Sequence, residues 1–502
     1  MTRARGLVIA VDQGTSASKA VAIGDDGVTR ARARAGVASC SPRPGWVEQN
    51  PIAILDSVER VLRQVVDTTE IPVVAVGLST QRESAMAWDT ASGEPLSKLL
   101  GWQDRRTSVA AARFDVGEMD LIRRVSGLPL DPMFSALKFA WILDAIDPDR
   151  ALARSGRITL GTVDAWLTFR LTGRRRIERG NASRTQLVDV RSGEWSPLLL
   201  ELFDVPAAGL PDIVASDDSS AIVRAGGSDL GTLSGVLGDS HAALFGHGCR
   251  RPGAVKATYG SGSSVMGLAA AADPPGGVAE TIAWDVNGSM ANAFEGNILS
   301  SGSTIGWLAD LLATDPESLA ALGRASGDGG IDLVPAFAGL AAPWWDPNAV
   351  GIISGLTLGA GRSQLARAAL ESVVLQVEDV LRAADPIAGP AGIREFHVDG
   401  GPSADDWLMQ RQADLSGRTV IRLEDSARSA LGVAWLAGAA RGIWDHATPP
   451  WNERVTRFVP GGDTEASRAR VQRWHEAVAR ARIQPAGPSP DATDRRERTP
   501  SQ

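Results

Sequence analysis

The apolar run Leu7-Val8-Ile9-Ala10-Val11 ends at Asp12, passes through a turn of small residues and resumes as Ala20-Val21-Ala22-Ile23 before an Asp25-Asp26-Gly27 turn. An uninterrupted apolar run of this length, with no polar alternation, suits a strand buried on both faces of a helix-covered sheet. The turn carries Gly14, Thr15, Ser16 and Ser18, whose backbone N–H groups and hydroxyls can meet phosphate oxygens. Asp12, at the strand end, is placed to hold a hydrated Mg²⁺ through an oxygen. These residues by themselves leave an ordinary core hairpin open.

The pattern returns later. Ala254-Val255-Lys256-Ala257-Thr258-Tyr259 leads into Gly260-Ser261-Gly262-Ser263-Ser264 and then Val265-Met266-Gly267-Leu268, again strand, Gly/Ser turn and strand. The echo suggests a duplicated domain. A third junction, Phe396-His397-Val398-Asp399-Gly400-Gly401-Pro402-Ser403, runs toward Trp407-Leu408-Met409. Its glycines permit close backbone approach to a nucleotide, and the start of the following helix favours negative charge. A chain of 502 residues also exceeds the size at which one hydrophobic core stops growing, so two sizeable domains are expected.

Between these junctions lie the candidate chemical groups. Ile54, Val58, Val61, Leu62 and Val65 mark a helix,. Val73–Leu78 reads as another buried strand, running into Ser79-Thr80-Gln81-Arg82-Glu83, and strand ends of this kind are where ligands meet α/β sheets. Arg82 can donate to substrate hydroxyl oxygens, Glu83 can accept from them, and Trp102 can wall off a carbon skeleton. A surface ion pair beside a half-buried Trp is the competing interpretation. Lys138–Leu143 is expected to be helical, and Gly180-Asn181-Ala182-Ser183-Arg184-Thr185 to be framework that caps turns. Leu233–Leu237 is a strand ending at Gly238-Asp239, where the carboxylate can take a proton from an attacking hydroxyl or serve as a helix N-cap. Ser363 is the expected cap of a long helix with Leu365, Ala369, Val373, Val377 and Val380 along one face. Ser429-Ala430-Leu431-Gly432 opens a closely packed small-residue helix, and residues from Pro485 onward read as a disordered tail.

Composition removes several classes of function. A net charge of −8 argues against a general nucleic-acid binder, which needs a basic face. Cys40 and Cys249 are the only cysteines, which gives no disulfide framework and suggests a reducing compartment. Arg3 and Arg5 precede an apolar run that Asp12 cuts short of a signal-peptide core, and no stretch has membrane-spanning length. The five histidines show no ligand spacing. A cytoplasmic protein that engages neither membrane nor nucleic acid is the expectation.

Taken together, Val11–Ser16, Gln81-Arg82-Glu83, Trp102-Gln103-Asp104-Arg105-Arg106, Asn181–Thr185, Gly238-Asp239, Ala242–Gly246, Thr258-Tyr259-Gly260, Val334–Pro347, Val398–Gly401 and Leu408-Met409-Gln410 resemble the FGGY carbohydrate kinases. The likeness is greatest to the glycerol kinase branch and runs from about Leu7 to about Arg482. It implies an α/β fold of two actin/hexokinase-like (ribonuclease H-like) domains with a cleft between them. Residues 1–249 would form the substrate and Mg/phosphate side, 250–484 the nucleotide side, and 485–502 the tail. It also implies ATP and Mg²⁺ as cofactors and a small polyol or sugar as substrate. Relatives commonly form dimers or tetramers.

Carried over by position, Asp12 would coordinate Mg²⁺, and Gly14, Thr15, Ser16 and Lys19 would line the phosphate hairpin. Gly260 and Ser261 would meet the phosphates from the other side, with Gly302 and Gly401 flanking the nucleotide. Arg82, Glu83 and Trp102 would hold the polyol, and Asp239 would be the general base of an in-line transfer. The departures from the branch are Met133 for Tyr, Ser240 for Gln, Ser264 for Phe and, near adenine, Asp405 for Asn. The first three enlarge the acceptor pocket, so the expected acceptor is glycerol or a slightly longer polyol such as a tetritol or pentitol. Gly226-Gly227-Ser228-Asp229 lacks the Arg that binds a sugar-bisphosphate inhibitor in some relatives, so no such feedback is expected. The rival functions are a ketose kinase of the same family and a non-catalytic actin-like ATPase.

Overall fold

The computed structural model describes residues 6–270, 277–425 and 427–483; the expected tail from Pro485 lies outside the described residues. Leu7–Gln13 (β1) pairs antiparallel with Ala17–Gly24 (β2), with Asp12 opposite Lys19, and β2 pairs antiparallel with Thr29–Gly36 (β3). On its other side β1 takes Val73–Thr80 (β4) in parallel. The hairpin of Ala221–Ala225 (β5) and Ser228–Gly238 (β6) joins through β6, parallel to β4. The six-stranded order is therefore β5-β6-β4-β1-β2-β3.

The unbroken apolar run of β1 is explained by cover on both faces. Leu7, Ile9 and Val11 pack with Ile54, Val58 and Val61 of the helix Pro51–Val66 (α1), while Val8 and Ala10 belong to a separate core on the opposite face. Asn50 caps α1 by accepting the Ile52 N–H at 3.0 Å, a favourable N-cap worth about 1 kcal/mol. Of the later helices in this half, three bear on the site: Ser135–Ile146 (α2), Arg179–Ser183 (α3) and Asp239–Gly246 (α4).

The second sheet contains Ala254–Tyr259 (β7), Ser263–Leu268 (β8), Ala279–Val286 (β9), Ser289–Ile298 (β10), Glu395–Gly400 (β11), Val420–Leu423 (β12) and Val455–Phe458 (β13). Its seven-stranded order is β9-β10-β8-β7-β11-β12-β13. β7 pairs antiparallel with β8 and parallel with β11, as β1 does with β2 and β4. The echo between the two Gly-rich turns thus extends to whole sheets. Four of the helices of this half are Gly302–Leu311 (α5), Arg362–Ala384 (α6), Asp406–Ser416 (α7) and Arg428–Ala440 (α8). α6 starts ahead of the expected cap: Gly361 is the N-cap residue and donates its N–H to Gln364 Oε1 at 3.0 Å, which leaves Ser363 inside the first turn.

Although α8 comes late in the chain, it covers the first sheet. A Cβ on Gly77 of β4 would lie 2.6 Å from the Val433 carbonyl oxygen, and one on Gly235 of β6 would lie 3.0 Å from the Ala437 nitrogen. α8 also crosses α4 backbone to backbone, since a Cβ on Gly432 would stand 1.9 Å from the Ala242 oxygen. Among the described residues, no helix is long and apolar enough to cross a membrane.

Candidate active site

The parallel strands of the first sheet finish in one row. Gln13 of β1 pairs with Thr80 of β4, and Thr80 pairs with Gly238 of β6. Asp12, Gln81-Arg82-Glu83 and Asp239 are consequently delivered to the same edge, as expected of ligand-bearing strand ends. Gly238 occupies the N-cap of α4 and Asp239 its first helical position. Asp239 Oδ1 accepts the Ser240 N–H at 2.6 Å and lies 3.2 Å from Arg82 Nε.

Arg82 and Glu83 are not a surface ion pair. The Arg82 side chain is 6% exposed, against 39% for Asp239. The Arg82 guanidinium reaches across to the second sheet and grips Glu295 of β10 through Nη2–Oε1 (2.6 Å) and Nη1–Oε2 (3.2 Å). Arg184, at the end of α3, donates Nε to Glu83 Oε1 at 2.6 Å and places Nη2 2.8 Å from Glu295 Oε2. Ser264 donates its hydroxyl to Glu295 Oε1 at 3.1 Å. Glu83, Arg184, Glu295, Arg82 and Asp239 therefore form an alternating chain of charge that joins the two halves.

Electrostatics follow from this chain. Burial would raise the Glu295 pKa, but Arg184 and Arg82 overcome it and hold the carboxylate well below its usual range. Burial pushes Asp239 up; Arg82 opposes the push and Glu83 adds to it. Asp12 is pushed up to about 6, first by burial and then by repulsion from Asp239, against Lys19 and the Ser79 hydroxyl at 3.0 Å. Two carboxylates thus converge on one edge of the cleft, their repulsion only partly offset by Arg82 and Lys19. Trp102 closes the same end, its Nε1 donating to Thr15 Oγ1 of the Gly14-Thr15-Ser16 turn at 3.1 Å.

From the second half comes the Gly260-Ser261-Gly262 turn, stacked on the start of α5. Gly302 N donates to Gly260 O at 2.9 Å, Ser303 Oγ donates to Ser261 O at 2.9 Å, and a Cβ on Gly302 would stand 2.6 Å from Gly260 O. Beside it lies an open pocket of about 720 Å³, lined in part by Gly302, Gly306, Arg324, Gly401, Asp405 and Leu408. Asp405 has both oxygens occupied: Oδ1 accepts the Trp407 and Leu408 N–H groups at the start of α7, and Oδ2 meets Arg324 at 2.6 Å.

Residues 7–246 match the N-terminal domain, and residues 255–441 the C-terminal domain, of the FGGY family of carbohydrate kinases. The chain belongs to this family. A glycerol kinase of Alkalilimnicola ehrlichii is 41% identical over 489 residues, spanning 94% of this chain and 98% of its own length. The crystal structure of Plasmodium falciparum glycerol kinase with ADP superposes with a TM-score of 0.87 at 25% identity, covering 95% of this chain and 98% of that one. The xylulose kinase of Rhodospirillum rubrum, at TM-score 0.84 and 24% identity over 94% of this chain and 98% of its own, shares the fold. This FGGY chain is an ATP-dependent carbohydrate kinase built on the two-domain actin/hexokinase-like fold.

Within this FGGY kinase, several residues that sequence reasoning singled out come together: Arg82, Glu83, Asp239, Ser240 and Ser264 meet around one charge cluster, while Trp102 meets the Thr15 turn. Met133 is tied to the cluster through its backbone, because Lys138 Nζ donates to Met133 O at 2.6 Å and to Glu83 O at 2.9 Å. Glu295, Arg184 and Lys138 were missed. Arg184, read from the sequence as framework, is fully buried between two carboxylates. A lone acid inside the apolar run Ala293-Phe294-Glu295-Gly296 was the available signal for Glu295, because unpaired charge is rarely buried.

Proposed function

We propose that this kinase transfers the γ-phosphoryl group of ATP to a hydroxyl of a small polyol, with Asp239 as general base. The observation that carries the reading is the placement of Asp239. Its carboxylate faces the cleft, 3.2 Å from Arg82 Nε, on the strand edge that also presents Asp12. Arg82, Glu83 and Trp102 orient the acceptor hydroxyl, and Asp239 takes its proton as the oxygen attacks phosphorus in line. Burial raises the Asp239 pKa, which makes its carboxylate a stronger base than an exposed one,. Gly14, Thr15, Ser16 and Lys19 receive the phosphates from one side, Gly260 and Ser261 from the other. Gly302, Gly401 and Asp405 border the nucleotide pocket. Approach of the two halves excludes water that would otherwise compete for the phosphoryl group.

The hard oxygen of Asp12 and its repulsion from Asp239 fit a divalent cation,. Mg²⁺ would be held by Asp12 together with the nucleotide's phosphate oxygens, and would supply charge neutralisation there. A cytoplasmic location belongs to the same reading.

The acceptor is glycerol or a slightly longer polyol. The 41% identity to a glycerol kinase supports a polyol, and Met133, Ser240 and Ser264 support the added length. Of the two serines, Ser264 has its proton committed to Glu295, so Ser240 is the one positioned to donate to an extra carbinol oxygen. A coupled ADP-release assay over glycerol, erythritol, threitol, xylitol, arabinitol and xylulose decides. Turnover with a four- or five-carbon polyol above glycerol is expected. Clear preference for glycerol removes the longer acceptor, and preference for xylulose installs the ketose kinase alternative.

A further inference from the structure

The segments that border the acceptor end return to one buried ammonium group. Lys138, in the first turn of α2, has no solvent exposure. Its Nζ donates to three backbone carbonyls: Glu83 at 2.9 Å, Gly101 at 2.8 Å and Met133 at 2.6 Å. An ammonium has three donors and no acceptor, so none is left for a ligand. Each carbonyl belongs to a residue that carries a pocket side chain or immediately precedes one, namely Glu83, Trp102 after Gly101, and Met133.

The same turn of α2 holds the flanking chain. Ser135 Oγ donates to Ser84 O at 2.9 Å, and Ala136 N donates to Thr185 O, just past Arg184, at 2.9 Å. Glu83 has φ 56, a left-handed conformation that a non-glycine residue keeps only when its surroundings impose it. Lys138 on its carbonyl and Arg184 on its carboxylate are the restraints that do so.

We propose that Lys138 is the positioning residue that sets the dimensions of the acceptor pocket, by holding the Glu83, Trp102 and Met133 segments on one centre. This rests on the acceptor-pocket reading above. Lys138 touches no substrate and acts through the three segments it joins. A lysine serving only stability would, on removal, disturb acceptor and nucleotide binding alike.

The test uses the full chain and Lys138→Met, which keeps the unbranched stem, one atom shorter, and removes its donors. KM for glycerol and for erythritol is expected to rise about tenfold while KM for ATP stays within about twofold, the split that separates acceptor positioning from general damage. Equal change in the acceptor and ATP constants, or no change in either, overturns the proposal. The rise in melting temperature on adding ADP reports folding. If Lys138→Met lacks it, Lys138→Arg is read by the same criterion, because a planar guanidinium cannot aim at three converging carbonyls. Loss of the ADP response in both variants makes Lys138 a folding element and overturns the proposal. A wild type that phosphorylates neither polyol defeats the acceptor reading itself; an active wild type whose variants show no split defeats this inference alone.

Discussion

The two ends of the cleft are built from opposite materials. At the acceptor end, Arg82, Arg184, Glu83 and Glu295 are buried and locked by contacts of 2.6 to 3.2 Å. At the nucleotide end, Gly302 and Gly401 open onto a pocket of about 720 Å³, where close backbone approach does the shaping. A buried charge cluster is unforgiving, because removing one member leaves its neighbour uncompensated. A backbone-shaped pocket tolerates changes in side-chain chemistry and resists added bulk. Under the proposed reading, choice of acceptor would rest on the buried charge cluster, and grip on the nucleotide on the glycine turns together with the side chains around them.

The sharpest break should come at Asp239. Asp239→Asn keeps the shape and loses the base, and kcat is expected to fall about a thousandfold in the ADP-release assay, within the usual range for a general base. Glu295→Gln comes next. Two buried guanidinium groups lose a shared counter-charge, and stability in urea should drop by about 3 kcal/mol. The excess positive charge also favours ionised Asp239, so its pKa falls. Activity that requires the carboxylate then survives to lower pH, and the acidic limb of kcat/KM moves down.

On the nucleotide side, Gly302→Ala drives a Cβ to 2.6 Å from Gly260 O and should raise KM for ATP about tenfold with little change for the acceptor. Ser264→Phe removes the hydroxyl bonded to Glu295 and fills space, and it should shift kcat/KM toward glycerol over erythritol about tenfold. Asp405→Asn is the mildest. Asn still caps α7, and the lost pair with the partly exposed Arg324 is worth under about 1 kcal/mol, so KM for ATP should move no more than about twofold.

What could be read from the chain depended on how local each signal was. The buried strand β1 was legible because cover on both faces leaves no polar alternation, and Asp12 and Asp239 stood out as acids at the ends of apolar runs. Arg82 was legible as a charged residue at a strand end but its anchor was not: Glu295 is 213 positions away, on the other sheet, and no short-range pattern joins them. Arg184 was hidden among turn-forming neighbours whose composition resembles framework. The cap of α6 went to Gly361 and not Ser363 because a glutamine side chain, unseen in a propensity reading, satisfies the free N–H. The small residues of α8 announced close packing without saying against what.

α8 fits onto Gly77 and Gly235 of the first sheet with no room for a side chain on either glycine, yet it is encoded some 190 residues beyond the last strand of that sheet. During synthesis the opening half of the polypeptide therefore emerges with one broad oily surface bare. That half cannot complete its burial until translation has passed Ala440, so the ribosome hands over an unfinished lobe that must be shielded or kept dilute while the remainder is made.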